Sequence, residues 1–320
     1  MSKWEPQKIR LGVSACLLGQ EVRYDGGHKR DTFLTDTLGP FVEWVPVCPE
    51  VEIGLGVPRP PIRLVGDAAA PRLVVEKTGE DLTTRMQRWA SRRIAELGAL
   101  DLHGYVLKRS SPSCGLIRVR VYGEDGTPGR VGRGVFAAAL TDALPLLPVE
   151  EEGRLTDAGI RESFIERVFG AARWQAFAAS RPRARDLVAF HAAHKFAILA
   201  HSPRHYGELG RLVAGAGPRL GVETLQTYAT RFAQALAVRA TRARHVNVLQ
   251  HLAGFLTREL GDDERAELGE VIAEYRRGLV PLVVPLTLLK HHVRRLRPNY
   301  LANQVYLDPH PKELMLRNHV

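Results

Sequence analysis

The period of the apolar positions changes near residue 181. Before it, KIRLGVSAC (8–16), FVEWVPVC (41–48) and RLVVEK (72–77) read as strands. DLTTRMQRWASRRIAELGAL (81–100) reads as a helix, with Leu82, Met86, Ala90, Ile94 and Leu97 on one face, arginines opposite and Gly98 at its end. GYVLKRS (104–110) and LIRVRVY (116–122) are strand-like, GVFAAALTDAL (134–144) helical, PLLPVE (145–150) extended, and DAGIRESFIERVFGAARWQAF (157–177) a long helix. Strands alternating with helices predict a Rossmann-like α/β domain built on a mainly parallel sheet. RPRARD (181–186) reads as a linker. Beyond it the pattern is helical throughout: 187–202, 207–216, 222–240, 243–260, 262–278 and 285–296. The predicted organisation is an α/β domain over 1–180 followed by an all-α domain over 181–320.

Composition narrows this picture. The longest apolar run, LVPLVVPLTLL (279–289), is too short to span a bilayer and holds two prolines. The first residues, MSKWEPQKIRLG, show no apolar leader core. Three cysteines argue against a disulfide framework and for a reducing compartment, so the expectation is a cytoplasmic protein with no membrane partner. Charge is lopsided: residues 1–180 carry 24 Lys+Arg against 23 Asp+Glu, and residues 181–320 carry 21 against 12. Ten of the 12 histidines also lie in the second part. A basic half beside a neutral half suits a polyanion-binding domain beside a chemical one, though an arginine-rich surface without a partner reads the same way.

The chemistry centres on the cysteines. Cys16 lies in SACLLGQEVRYDG, Cys48 in VCPEVEIGLGVPRPPIRL and Cys114 in LKRSSPSCG, each shortly after a strand-like stretch. Strand carboxyl ends in an open α/β sheet meet at one edge, where ligands bind. Three thiols brought there form a metal-ligand set with one position missing. Separations of 32 and 66 residues fit neither a zinc ribbon nor a ferredoxin run, so spacing alone also allows three buried structural thiols. Their neighbours are turn formers and charges (Arg23, Asp25, Glu50, Lys108, Arg109), which make poor core material.

These strings resemble the thiouracil desulfidase family over about residues 8–160. The resemblance implies that Cys16, Cys48 and Cys114 hold a [4Fe-4S] cluster, leaving the fourth iron without a protein ligand. It also implies that a thiocarbonyl sulfur binds that iron and is exchanged for oxygen with no net redox change. Such an addition needs an acid/base group. Glu50, two residues after Cys48, is the candidate; a first-turn helix carboxylate is its other reading. The resemblance places a catalytic serine in the 110–113 loop, with Ser111 favoured, Ser110 the alternative created by the Ser-Ser pair and Ser113 a further candidate; turn serines are the other reading. Arg23, Tyr24 and Asp25 are candidate substrate contacts, Lys108 a candidate balance for cluster or sulfide charge, and Gly54, Gly56, Arg59 and Arg63 candidate shapers of the loop over the site. The same charged and aromatic residues could instead form a fold-stabilising network.

The second half resembles the helical YbgA-type domain of unknown function found fused behind such desulfidases. In that fusion the resemblance implies binding of tRNA and removal of sulfur from 4-thiouridine within it. Lys195, Arg204, His205 and Tyr206, near His194 and His201, form one candidate RNA-binding block; Lys290, His291, His292, Arg294 and Arg295 form another. Asn247, Gln250 and His251 share a helix face. A metal held by His201 and His205 is conceivable, but the phosphate reading needs fewer assumptions. Three functions follow: a tRNA 4-thiouridine desulfidase, a desulfidase of free thiobases, and an iron–sulfur sensor that binds nucleic acid. No sequence feature specifies an oligomeric state.

Overall fold

The computed structural model describes residues 8–123, 125–217, 220–298 and 300–319. They form two compact units, one ending at Thr156 and the other beginning at Asp157. The first unit is α/β. Its elements are β1 (Ile9–Ser14), β2 (Val42–Val47), α1 (Pro49–Glu52), β3 (Ile62–Val65), β4 (Arg72–Val75), α2 (Thr83–Gly98), β5 (Gly104–Leu107), β6 (Val119–Tyr122), β7 (Pro128–Gly132), α3 (Val135–Ala143) and β8 (Val149–Glu151).

Where the apolar pattern leads to a mainly parallel sheet, the strands divide into two sheets. One is wholly parallel, in the order β2-β1-β5-β8, with Ser14 opposite Val47, Val13 opposite Val106 and Tyr105 opposite Val149. The other runs β4-β3-β6-β7, with only the central β3–β6 pair parallel. The two strands that sequence patterning does not reveal, β3 and β7, both belong to this second sheet. Pro60 and Pro61 precede β3, and Pro128, Gly129 and Gly132 lie in β7, a composition that reads as turn.

In the parallel sheet, the chain passes from β1 to β2 on one side and later to β5 on the other. That reversal opens a crevice at the strand carboxyl ends. Close packing beneath it needs a glycine: a Cβ on Gly12 would lie 2.1 Å from the Tyr105 ring. The core of this unit joins α2 and α3 through Trp89 and Phe136, whose ring centroids are 5.3 Å apart.

The second unit contains α4 (Ala158–Ala179), α5 (Ala184–His201), α6 (Pro203–Ala214), α7 (Val222–Ala237), α8 (Arg242–Leu256), α9 (Asp262–Arg277) and α10 (Val283–Leu296). All six helices expected after residue 181 are present. The boundary, however, lies at 156/157 rather than 180/181, because α4 belongs to the helical unit. Phe177 packs in one core with Phe190, Tyr228 and Phe232, and Trp174 stacks on Tyr228 with centroids 5.0 Å apart. RPRARD therefore lies within one unit: 181–183 belong to the turn between two helices, and 184–186 open α5. Among the described residues, no helix is long and apolar enough to cross a membrane.

Candidate active site

The three cysteines leave three adjacent strands of the parallel sheet. Cys16 sits in the 3-10 turn Ala15–Leu18 directly after β1, Cys48 is the N-cap residue of α1 directly after β2, and Cys114 ends the loop that follows β5. All three are free thiols, with Cys16 and Cys114 buried and Cys48 partly so. Burial, with the charge of Cys48 adding to it, pushes the Cys16 thiol up to about 11. Burial also raises Cys48 and drives Cys114 well above the ordinary thiol range, where Glu50, Cys48 and Cys16 add to the effect. The thiols thus sense one another's charge.

Local hydrogen bonds shape the Cys114 loop. Ser111 Oγ accepts the backbone N–H of Ser113 at 3.2 Å and of Cys114 at 3.0 Å. Buried Ser14, at the end of β1, accepts the N–H of Lys108 at 2.9 Å and also bonds the Cys114 thiol. Gly134 lets the next segment approach, since a Cβ there would lie 2.5 Å from the Ser113 carbonyl oxygen.

Glu50 stands between a cation and two hydroxyls. Arg59, only 7% exposed, donates to Glu50 Oε2 from Nε at 3.1 Å and from Nη2 at 2.5 Å. Ser113 donates its hydroxyl to Glu50 Oε1 at 3.1 Å, and Ser111 reaches the same oxygen at 3.5 Å. Ser113 is the closer partner and is fully buried, while Ser111 holds the loop. Ser110 is exposed, with φ at 59°.

The other anticipated site residues have partners of their own. Arg23 pairs with Asp25 at 3.3 Å and stacks over Tyr24 at 5.4 Å, and its charge reaches Cys16. Asp25 also accepts the Gly27 N–H, while Tyr24 is 43% exposed. Lys108 is ion-paired with Glu152, and its charge lowers the Cys16 thiol against the effect of burial. Arg63 lies in β3, its guanidinium over the Tyr122 ring at 5.2 Å.

Sequence reasoning assigns Arg59 only to loop shape and omits Ser14, Glu151 and Glu152 altogether. Glu151 accepts the N–H of Leu116 at 2.7 Å and of Ile117 at 3.3 Å, and Glu152 accepts that of Arg109 at 2.7 Å. Their signal is a run of three glutamates (150–152) where an extended stretch ends, and all three are buried.

The thiols suit a thiolate-ligated iron–sulfur cluster by their chemistry: three free cysteines follow three adjacent strands, and each one's charge acts on the others. Thiols held protonated by burial also become thiolates once a positive metal centre supplies the compensating charge.

In the helical unit the two basic blocks are only partly free. Arg204 pairs with Glu208 at 2.8 Å, Lys290 with Asp308, and Arg295 with Glu264 at 2.5 Å. Lys195 Nζ lies 4.7 Å from the Tyr300 ring, His205 Nδ1 is 2.8 Å from Ser202 Oγ, and Tyr206 packs against the core. His291 and Arg294 are exposed. His292 is a correction: it is 3% exposed on the inward face of α10, so it cannot touch RNA. His194 and His201 are likewise buried, and His201 is bonded to Glu166, not paired with His205 around a metal.

A family model described as 2-thiouracil desulfurase matches residues 11–152, and one described as a protein of unknown function (DUF1722) matches residues 195–311. The uncharacterized protein YbgA of Escherichia coli (strain K12) is 32% identical over 133 residues, 41% of this chain and 79% of its own length. The uncharacterized protein YbbK of Bacillus subtilis (strain 168) is 31% identical over 137 residues, 41% of this chain and 89% of its own. A solved structure of the [4Fe-4S]-dependent thiouracil desulfidase TudS is 35% identical, with a TM-score of 0.40, and the match covers 49% of this chain and 99% of that one.

Proposed function

This chain belongs to the 2-thiouracil desulfurase family in its α/β unit and to the YbgA family of helical domains in its second, and on that premise we propose that it removes the thione sulfur from thiolated uracil in RNA. The substrate we favour is 4-thiouridine in tRNA, carried by the basic helical unit. The observation that carries the reading is the grouping of Cys16, Cys48 and Cys114 with the Arg59–Glu50–Ser113 chain at one sheet edge.

Cys16, Cys48 and Cys114 would hold a [4Fe-4S] cluster. When bound, such a cluster supplies a soft, Lewis-acidic iron that prefers a thiocarbonyl sulfur to water. The reaction needs water to add at the ring carbon and hydrosulfide to leave, so C=S becomes C=O with no change of oxidation state. Glu50 is placed to take the proton from that water. Its Oε2 is committed to Arg59, which leaves Oε1 facing the hydroxyls of Ser113 and Ser111. Ser113, the nearer hydroxyl, can pass a proton to Oε1 and later return it, while Ser111 holds the loop. Arg59 acts through Glu50 as a positioning residue. Exposed Tyr24 offers a ring on which a uracil can stack, and Arg23 and Lys108 bring positive charge beside Cys16, where sulfide is released.

Charge favours RNA over a free base. From residue 157 onward the chain carries 24 Lys+Arg against 15 Asp+Glu, and a small neutral base calls for no such partner. Free thiouracil is the second reading, favoured by the description of the family that the α/β unit matches. Anaerobically reconstituted protein incubated with thiolated tRNA or with free 2-thiouracil separates them by loss of thiocarbonyl absorbance. Turnover of tRNA is the expected result. Turnover of free thiouracil alone would overturn the RNA substrate, and turnover of neither, with salt-sensitive RNA binding, would point to a sensor.

A further inference from the structure

The helical unit contains a cavity of about 490 Å³, lined in part by charged side chains, that desulfidation does not use. Two helices begin on its wall, α4 at Ala158 and α8 at Arg242. Its floor is a closed ionic network. Arg317 donates to Glu162 Oε1 at 2.9 Å, to Glu166 Oε1 at 2.6 Å and to the Tyr306 carbonyl at 2.6 Å. The other oxygen of Glu166 is 2.8 Å from His201 Nε2. One guanidinium and one imidazole therefore answer two carboxylates, and every one of these side chains is buried.

What remains facing the cavity is rich in donors. Arg242 has no hydrogen bond or ion pair among the described residues and lies 5.4 Å from the Tyr275 ring centroid. Arg239 is held by a 3.4 Å contact to Asp157, whose carboxylate already caps α4 by accepting the Ile160 N–H. Tyr275 is 0% exposed, yet its hydroxyl has no partner among the described residues. Buried tyrosine hydroxyls are normally paired. Burial pushes this one up to about 12, and the charges that act on it are those of Arg242, Glu162 and Arg317, so it faces the cavity's ionic wall as a donor.

We propose that this cavity binds a phosphomonoester, clamped by Arg239 and Arg242, with the Tyr275 hydroxyl and the backbone N–H groups of Arg242 and Ala243 completing the donor set, the third N–H of that turn, Arg244, being capped by Thr241. Guanidinium forks match phosphate oxygens, and helix N-termini favour anions. A volume near 490 Å³ exceeds what phosphate alone fills and lies within the roughly 300–1,000 Å³ of organic-ligand pockets. The phosphate can belong to a free nucleotide or to the end of an RNA chain.

Calorimetric titration of the full chain tests this without iron or a thiocarbonyl, so it stands or falls apart from the desulfidase reading. The probes are uridine 5′-monophosphate, uridine, and a short oligoribonucleotide with either a 5′-phosphate or a 5′-hydroxyl. The monophosphate should bind saturably and uridine should not. Arg242→Ala and Tyr275→Phe should each weaken the monophosphate by about tenfold or more. Tyr275→Phe removes only an unpartnered oxygen, so it keeps the fold and guards against a trivial loss. Binding of the 5′-phosphorylated oligonucleotide alone would assign the phosphate to RNA ends. Equal binding of uridine and its monophosphate, unchanged affinity in both variants, or no binding of any phosphorylated probe would overturn the proposal.

Discussion

Arg59→Met should uncouple Glu50 from the rest of the site, and its cost can be worked from the contacts. The side chain of Arg59 is 3% exposed and that of Glu50 14%, so the variant leaves a largely buried carboxylate without its counter-charge. It also strips a charged donor from the carbonyls of Gly56 (2.9 Å) and Val22 (3.0 Å). Removing one partner of a buried pair costs about 3–5 kcal/mol, and about 4 is expected here because methionine keeps the apolar stem. Glu50→Gln should cost less, about 2 kcal/mol, since Arg59 keeps both carbonyl acceptors. In the double variant neither charge remains, so its cost should fall short of the sum of the single variants by about 1.5 kcal/mol or more. Hydrogen exchange at the β1, β2 and β5 amides reads the opening of this unit alone. Additive costs would refute the pairing and the positioning role built on it. Arg59→Met with full desulfidase activity would refute the role even if the pairing stood.

Ser113→Ala takes one donor from Glu50 and should abolish most turnover at a cost of about 1–2 kcal/mol with iron retained, whereas Ser111→Ala leaves two loop N–H groups without an acceptor and should cost about 1–3 kcal/mol and lose iron; single-turnover assays and iron content separate the two. Cys16→Ala, Cys48→Ala and Cys114→Ala should each lose cluster absorption, and full iron and sulfide in any one would remove that cysteine from the ligand set. In the helical unit, burial and Glu166 raise Glu162 to about 7, so the folded state holds a proton that the unfolded state has released. Its contribution is complete below about pH 4.5 and is lost as pH rises through about 7, a swing of at most about 3–4 kcal/mol. His201, buried but raised by its bond to Glu166, acts with the same sign above its ordinary range, while His194 and His245, lowered by burial to about 3, act oppositely below it. The clean measurement is therefore the difference in melting temperature between the wild type and Glu162→Gln from pH 5 to 8: the variant should gain on the wild type as pH rises, and parallel curves would refute the raised carboxyl.

The sequence-level expectations succeed where one physical signal dominates. β1 and β2 carry runs of apolar residues suited to a parallel sheet, and α2 shows one clean apolar face, so both patterns emerge from periodicity. The cysteine strings stand out because turn residues and charges surround a residue type otherwise absent. The second sheet stays hidden because β7 spends its short length on proline and glycine. The domain boundary is misread because a proline- and arginine-rich turn between α4 and α5 has the composition of a linker, and only the packing of Phe177 and Trp174 decides otherwise. Arg59, Glu151 and Glu152 escape because their partners lie 9, 35 and 43 residues away. A charge whose work is done across the fold looks, in sequence, like any surface charge. His292 fails for the opposite reason: a basic string, KHHVRR, conceals the one histidine that helical geometry turns inward.

The bonds that Ser111 makes to the two N–H groups of the Cys114 loop bear on how tightly a cofactor is kept. In small zinc-organised domains the ligands are ordered only when the metal binds, and the entropy lost in that ordering is subtracted from affinity. Here a hydroxyl fixes the loop through two backbone N–H groups, by bonds that involve no metal. Less ordering entropy is then subtracted when the Cys114 ligand takes up its cofactor, and affinity rises by that share.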